Sequence, residues 1–304
     1  MLELRHLRTL MALQETGSVS RAAKRVHLTQ SALSHQLKSL QEHYGLSIVQ
    51  RRGQSVELTD AGKHLVALAE KVLEEIQAAE RGLARLSQQT SGSLRIALEC
   101  HTCFDWLMPL MDEFRQNWPD VELDLVSGFH SDPVKLLEER GADVVIGSEH
   151  GPRRGVVHHP LFRFEILAVL APEHPLRGKR ILQAADFADV TLITYPVPED
   201  RIDLILNVLK PAGIHPQRRT AELTIAILQL VASRRGVAAL PSWGIKNYVD
   251  HDYVIARRIG THGLWSDLYA STLKETASRP YLRDFLTTAR KTCFATLDGI
   301  IPLE

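Results

Sequence analysis

Two short stretches hold residues whose types and spacing could do chemistry. Cys100-His101-Thr102-Cys103 places two thiols three residues apart, with an imidazole and a hydroxyl between them. Such a run can bind a soft metal, undergo thiol redox chemistry, or line a pocket with small polar atoms. Structural zinc takes four ligands, but Cys293 stands far along the chain and the adjacent His158-His159 pair is a poor chelate, so no metal is expected. Redox chemistry and the plain packing of small buried residues both stay open. The second stretch runs from Thr29 through Gln30, Ser31, Ser34 and His35 to Lys38, with Ala32, Leu33, Leu37 and Leu40 at helical spacing between them. Short polar side chains on an exposed helix face can reach base edges, glutamine pairs bidentately with adenine, and Lys38, Arg51 and Arg52 suit phosphates. The helix N-terminus near Thr29–Ser31 can also receive a phosphate.

The elements that must position these residues follow from periodicity and stop signals. Leu4, Leu7, Leu10 and Met11 form a helical stripe that ends at Gly17; Ser18 or Ser20 can cap a short second helix, and Thr29 caps a third that ends near Tyr44-Gly45. Ile48-Val49, the basic turn Arg51-Arg52-Gly53-Gln54 and Val56–Leu58 read as a hairpin. Two helices joined by a short turn, followed by a basic hairpin, make a winged helix-turn-helix suited to the major groove of DNA. Next, Leu65, Ala69, Val72, Ile76, Ala79, Leu83 and Leu86 are spaced 4, 3, 4, 3, 4, 3, the seam of a dimerising coiled coil. A polar stretch at residues 88–93 reads as a hinge.

Beyond the hinge, strands and helices alternate, which predicts an α/β unit with a parallel sheet and helices on its faces. Strands are expected at Leu94–Leu98, Val121–Val126, Asp143–Ile146, Glu165–Leu170, Thr191–Thr194, Val237–Leu240 and Leu268–Thr272. Helices are expected through Leu107–Trp118, Pro133–Arg140, Ile202–Leu209, Thr224–Ser233 and Pro280–Thr296, the last returning to the first half. Pro109 belongs in a helix's first turn, so its helix should begin near Asp105. That puts residues 100–103 at the carboxyl end of a strand, facing a helix start, where α/β sheets bind anions. Thr102 and nearby backbone N–H groups would suit a carboxylate. Tyr195, Gly128, and the helix start at Glu222 and Thr224 should line the same cleft. For an amino-acid ligand, Glu222 or Glu99 could hold the ammonium.

Composition bounds the class. The chain has 304 residues, 44% hydrophobic and 24% charged, which is ample for two folded units and excludes a disordered protein. No apolar run is long enough to span a bilayer, and the first residues, Met-Leu-Glu-Leu-Arg-His-Leu, lack the apolar stretch of a secretory signal. Three cysteines favour a reducing compartment, so the cytoplasm is expected. Residues 1–58 hold 8 Lys/Arg against 4 Asp/Glu within a chain of zero net charge, so an anionic partner is expected at that end. The chain lacks a Gly-x-Gly-x-x-Gly run, a P-loop and a Gly-x-Ser-x-Gly elbow, and no enzyme activity is expected.

The run Ala22-Ala23-Lys24-Arg25-Val26-His27-Leu28-Thr29-Gln30-Ser31-Ala32-Leu33-Ser34-His35-Gln36-Leu37 closely resembles the head of the LysR-type transcriptional regulators. Ile48-Val49-Gln50-Arg51-Arg52 and Leu58-Thr59-Asp60-Ala61-Gly62 are similar to that family's wing and wing exit. Val49 departs from the family's usual Phe, and Gln41 from its usual Leu-Glu after the recognition helix. The resemblance implies a winged helix-turn-helix at 1–58, a linker and dimerisation helix at 59–88, and an effector domain like a periplasmic binding protein. Its first subdomain would comprise 93–162 plus 266–304 and its second 163–265. It also implies a homodimer or homotetramer on double-stranded DNA with an inverted-repeat operator, with RNA polymerase as a further partner. Residues 94–103 and 236–243 resemble the branch that regulates methionine biosynthesis in response to homocysteine, which implies homocysteine as effector and places it at Cys100–Cys103.

Overall fold

The computed structural model describes residues 2–52, 55–86, 92–99, 103–126, 132–148 and 151–303. The chain divides into two units, residues 1–89 and 90–303. In the first, local signals set the helices. Helix α1 (Leu4–Thr16) stops at Gly17, whose φ of 59° is the left-handed conformation that glycine adopts without strain. Ser18 caps α2 (Val19–Arg25), His27 turns the chain at φ 56°, and Thr29 caps α3 (Gln30–Tyr44), which ends on left-handed Gly45. Strands β1 (Val49–Arg52) and β2 (Ser55–Leu58) pair antiparallel as the wing. Leu10, Leu13, Ala22, Ala23, Leu33, Leu37, Leu40 and Ile48 form one buried core that Val66 of α4 (Asp60–Leu86) joins. Helix α4 begins so close to the wing that a Cβ on Gly62 would fall 2.2 Å from the Ile48 carbonyl oxygen. Only glycine fits there.

The second unit is one ten-stranded sheet with helices around it. In chain order it contains β3 (Gly92–Leu98), α5 (Phe104–Asn117), β4 (Val121–Leu125), α6 (Lys135–Glu138), β5 (Val144–Gly147) and β6 (Val156–Leu170). Then come β7 (Ile181–Leu182), β8 (Leu192–Thr194), β9 (Arg218–Thr220), α7 (Thr224–Ala232), β10 (Val237–Pro241) and α8 (Ser242–Asp250). Strands β11 (Ile255–Ile259) and β12 (Leu264–Leu273) and helix α9 (Pro280–Thr296) complete it. The strand order is β4-β3-β5-β12-β6-β10-β8-β9, with β11 pairing β6 and β7.

The sheet is mixed, which corrects the expectation of a parallel one. The strands joined through helices are parallel, β3 to β4 and β5, and β8 to β9 and β10. Strand β12 is antiparallel to both β5 and β6, and β10 is antiparallel to β6. The long pair β6 and β12 therefore runs through two half-sheets and belongs to both. Its register shifts between Leu268 and Tyr269, opposite Pro160, a place where a residue without an N–H is tolerated.

Three smaller expectations also change. Pro109 sits in the second turn of α5, on its exposed side, where water can satisfy the carbonyl that the missing N–H leaves free. The helix expected over Pro133–Arg140 is the single turn α6, and Ile202–Leu209 contains a π-helical turn at Ile205–Leu209. Helix α9 returns onto α5: Phe114 and Phe285 meet edge to face at 5.6 Å, and the buried Trp118 indole N–H donates to Asp284 Oδ2 at 2.8 Å.

Candidate nucleic-acid interface and effector cleft

Helix α3 divides its residues as its spacing requires. Leu33, Leu37 and Leu40 are buried, while Gln30, Ser34 and Lys38, and beside them Ser31 and His35, are exposed and stand at i, i+4 in two adjacent rows on the solvent face. Thr29 Oγ1 accepts the Ala32 N–H at 3.2 Å and lies 3.0 Å from Ser31 Oγ, so the first turn is fixed with its positive end in solvent. Lys38 pairs only loosely with Glu42, 3.7 Å away across one exposed turn, which leaves the ammonium free to meet a phosphate. Arg51 and Arg52 stand on β1, opposite Val56 and Ser55.

Gln41 accounts for its own departure from the family pattern. Its Oε1 accepts the N–H groups of Ile48 and Val49 at 2.9 and 3.3 Å, tying the end of α3 to the start of the wing. Thr59 closes the other side: its hydroxyl donates to the Ser47 carbonyl at 2.6 Å and accepts the Gly62 N–H at 3.2 Å.

In the second unit, a cavity of about 130 Å³ opens where the two half-sheets meet. The first half contributes Glu99, just past β3, and Ile146 and Ser148 at the end of β5. The second half contributes Thr194 and Tyr195 at the end of β8, Arg201 and Asp203 beyond it, and Trp243 at the start of α8. Phe164, Ile166 and Leu268 of the through-running strands form an apolar floor, with Trp243 edge-on to Phe164 at 6.1 Å. The Trp243 indole N–H is buried and has no acceptor among the described residues.

The charged lining is held in place on both sides. Glu99 Oε2 accepts the Ser148 N–H at 2.6 Å. A Cβ at Gly147 would lie 2.6 Å from that same oxygen, so glycine there lets the carboxylate lie across the end of β5. Arg201 Nη2 approaches Glu99 Oε1 to 3.7 Å from the other half. Arg218 braces the second wall by donating to Thr194 Oγ1 at 2.7 Å and to the carbonyls of Tyr195 and Val197 at 2.7 and 2.5 Å. Near the cleft, Arg153 grips Asp132 through two bonds of 2.9 and 2.8 Å. Burial works to raise the Asp132 carboxyl, but those bonds, the Arg153 charge, the Lys135 N–H and the Arg201 charge together hold it below its usual range.

The expected effector residues separate on this geometry. Tyr195 lines the cleft, and its hydroxyl lies 2.5 Å from that of buried Thr224, which supports it from behind. Glu222 is exposed and outside the lining; of the two glutamates expected to hold an ammonium, Glu99 is the one that lines the cleft. Cys103 is fully buried at the start of α5 and does not line the cleft. Cys100, His101, Thr102 and Gly128 lie outside the described residues. Arg201, Ser148, Phe164 and Trp243 were not read from sequence as lining residues. Only the chain's return to the mouth at Tyr195-Pro196 hinted at the first of them.

A winged helix-turn-helix followed by an α/β unit with a cleft is the layout of a transcriptional regulator, and the chain belongs to the LysR family. The model of bacterial regulatory helix-turn-helix proteins of the lysR family matches residues 4–63, and that of the LysR substrate binding domain matches residues 87–294. Among curated relatives, the HTH-type transcriptional regulator MetR of Haemophilus influenzae is 53% identical over 303 residues, covering 100% of this chain and 98% of that protein. MetR of Escherichia coli K12 is 39% identical, covering 95% of this chain and 90% of the relative. These relatives are transcriptional regulators, not enzymes. The regulatory domain of MetR from Neisseria meningitidis is similar at 52% identity, with a TM-score of 0.65 over 70% of this chain and 99% of that one. Full-length CbnR bound to its target DNA shares the fold, with a TM-score of 0.53 at 22% identity over 96% of this chain and 99% of that one. No helix among the described residues is long and apolar enough to cross a membrane.

Proposed function

We propose that this chain is a homocysteine-responsive regulator of methionine biosynthesis genes, acting in the cytoplasm as a homodimer or homotetramer on an inverted-repeat operator. The observation that carries this reading is the 53% identity to MetR along the whole chain, which spans both the head and the cleft. In this reading Gln30, Ser31, Ser34 and His35 meet base edges, while Thr29, Lys38, Arg51 and Arg52 hold phosphates. The seam residues Leu65, Ala69, Val72, Ile76, Ala79 and Leu83 join two chains, and RNA polymerase is a further partner at the promoter. The cleft is the effector site. Its room of about 130 Å³ and its apolar floor beside opposite charges support a small amino acid with an apolar tail.

Titration of the full chain with homocysteine in a calorimeter, beside operator binding to methionine-gene promoter fragments, tests the reading. Saturable heat and a homocysteine-dependent change in operator binding are expected. Gln30→Ala should relax base preference at one operator position by ~1–3 kcal/mol. Equal affinity of the wild-type chain for promoter and random DNA would overturn the reading. Binding of another ligand with no heat from homocysteine would remove the effector assignment alone.

A further inference from the structure

The charged residues of the cleft are arranged as two halves of a receptor. Glu99 comes from the first half-sheet and Arg201 from the second, so their pairing crosses the cleft. At 3.7 Å the pair is electrostatic but too long for the 2.7–2.9 Å of a charge-assisted hydrogen bond. Both side chains are largely shielded, Arg201 at 19% and Glu99 at 24% exposure, which strengthens their charge toward anything that enters. Glu99 is held from behind by the Ser148 N–H, and its position depends on the missing side chain at Gly147. Arg201 also faces the charge of Asp132, which is itself already committed to two bonds from Arg153. Among the described residues the other lining carboxylate is Asp203, which accepts from Asn207 at 3.3 Å.

We propose that Glu99 and Arg201 form a zwitterion receptor that reads the head group of an α-amino acid. The ligand ammonium bonds the Glu99 carboxylate, and its carboxylate bonds the Arg201 guanidinium. The side chain of the ligand then lies on Phe164, Ile166, Leu268 and Trp243. Because the two charges belong to opposite half-sheets, a ligand bridging both favours whichever arrangement of the halves lets it reach both, which makes the head group the part that is sensed. This assignment rests on the amino-acid effector proposed above and names the contacts that recognise it.

The test is calorimetry on the full chain with three probes: homocysteine, 4-sulfanylbutanoate (no ammonium) and 3-sulfanylpropan-1-amine (no carboxylate). Each deletion should weaken binding by about tenfold or more. Glu99→Gln should weaken homocysteine to a similar degree yet leave 4-sulfanylbutanoate unchanged, and Arg201→Gln should do the same with the amine probe spared. Gly147→Ala should displace the Glu99 carboxylate and reproduce the Glu99→Gln pattern, while Glu222→Gln, at an exposed position outside the lining, should bind homocysteine as the wild type does. Thermal melting that matches the wild type identifies a folded variant; for an unfolded one, Glu99→Asp and Arg201→Lys replace it and should show intermediate losses. Homocysteine binding unchanged in Glu99→Gln and Arg201→Gln would overturn the proposal. So would equal loss of all three probes, or a carboxylate dependence that disappears in Thr102→Val but persists in Arg201→Gln. If homocysteine fails but methionine binds with the same dependence on Glu99 and Arg201, the receptor stands and the effector identity falls; if no α-amino acid binds, the receptor falls as well.

Discussion

His158 and His159 illustrate how one residue step on a strand separates two chemistries. Successive side chains on β6 point to opposite faces, so the adjacent imidazoles do not converge on one ion. His158 lies 2.7 Å from Ser271 Oγ through Nδ1 and 3.0 Å from the Gly151 carbonyl through Nε2, and His159 Nε2 lies 3.0 Å from Thr272 Oγ1. Among the described residues no group of three or more His, Cys, Asp or Glu side chains is arranged to hold a metal. Burial, with a smaller contribution from the His158 charge, holds His159 below its ordinary value near 6.5. The unfolded chain therefore takes up this proton at higher pH than the folded one, and stability falls as pH drops from about 6.5 through the folded value. His6 and His174, also lowered mainly by burial, act in the same direction. His159→Gln should flatten the decline, by at most ~1.4 kcal/mol per pH unit for a single proton. Urea midpoints between pH 5 and 8 measure it, and an unchanged slope would show that His159 is not a contributor.

Helix α4 carries the element-scale prediction. Its stripe is divided along its length: Leu65 is half-buried and Ala69 buried beside the core residue Val66, Val72 and Ile76 are half-buried, and Leu83 is 67% exposed. The first turns thus serve the core of the head, so in the proposed dimer the contact between two chains is expected to fall mainly on the later turns. Leu83→Glu places a charge where the lone chain already meets water, so it should leave the melting of the head unchanged while weakening self-association. Light scattering across a dilution series measures that; unaltered mass would assign the seam to another face. The elements of the head were legible because their signals are local: Gly17, Ser18, Thr29 and Gly45 mark their own boundaries. The mixed sheet was not. The pairing of Leu264–Leu273 with residues 156–166 joins segments about a hundred residues apart, and no local pattern states its direction. The cleft was half legible for the same reason. A strand end at Glu99 can be read locally, but its partner Arg201 sits on a short 3₁₀ turn, Glu199–Arg201, that has no periodicity.

At the scale of the whole molecule, regulation reduces to a coupling between two binding equilibria. The head carries an excess of four positive charges and the remainder an equal negative excess, so DNA binding should weaken steeply with added salt as phosphate counterions return. Homocysteine binding in the cleft is expected to respond to salt far less, since the Glu99 and Arg201 side chains proposed to hold it are shielded. The two equilibria can therefore be varied separately, and their linkage measured at a salt concentration where both are resolved. If homocysteine changes operator affinity by some factor, operator must change homocysteine affinity by the same factor, typically about 5- to 150-fold. Calorimetric titration of homocysteine into free chain and into chain saturated with operator gives one factor. Operator titration with and without homocysteine gives the other. Agreement within error is required of any single mechanism that links cleft to head. Arg201→Gln should reduce both factors together, because a ligand that no longer bridges the half-sheets loses its preference for one of their arrangements. If both factors equal one in the wild type and operator bending is also unaffected, homocysteine is a bystander in the cleft, however tightly it binds.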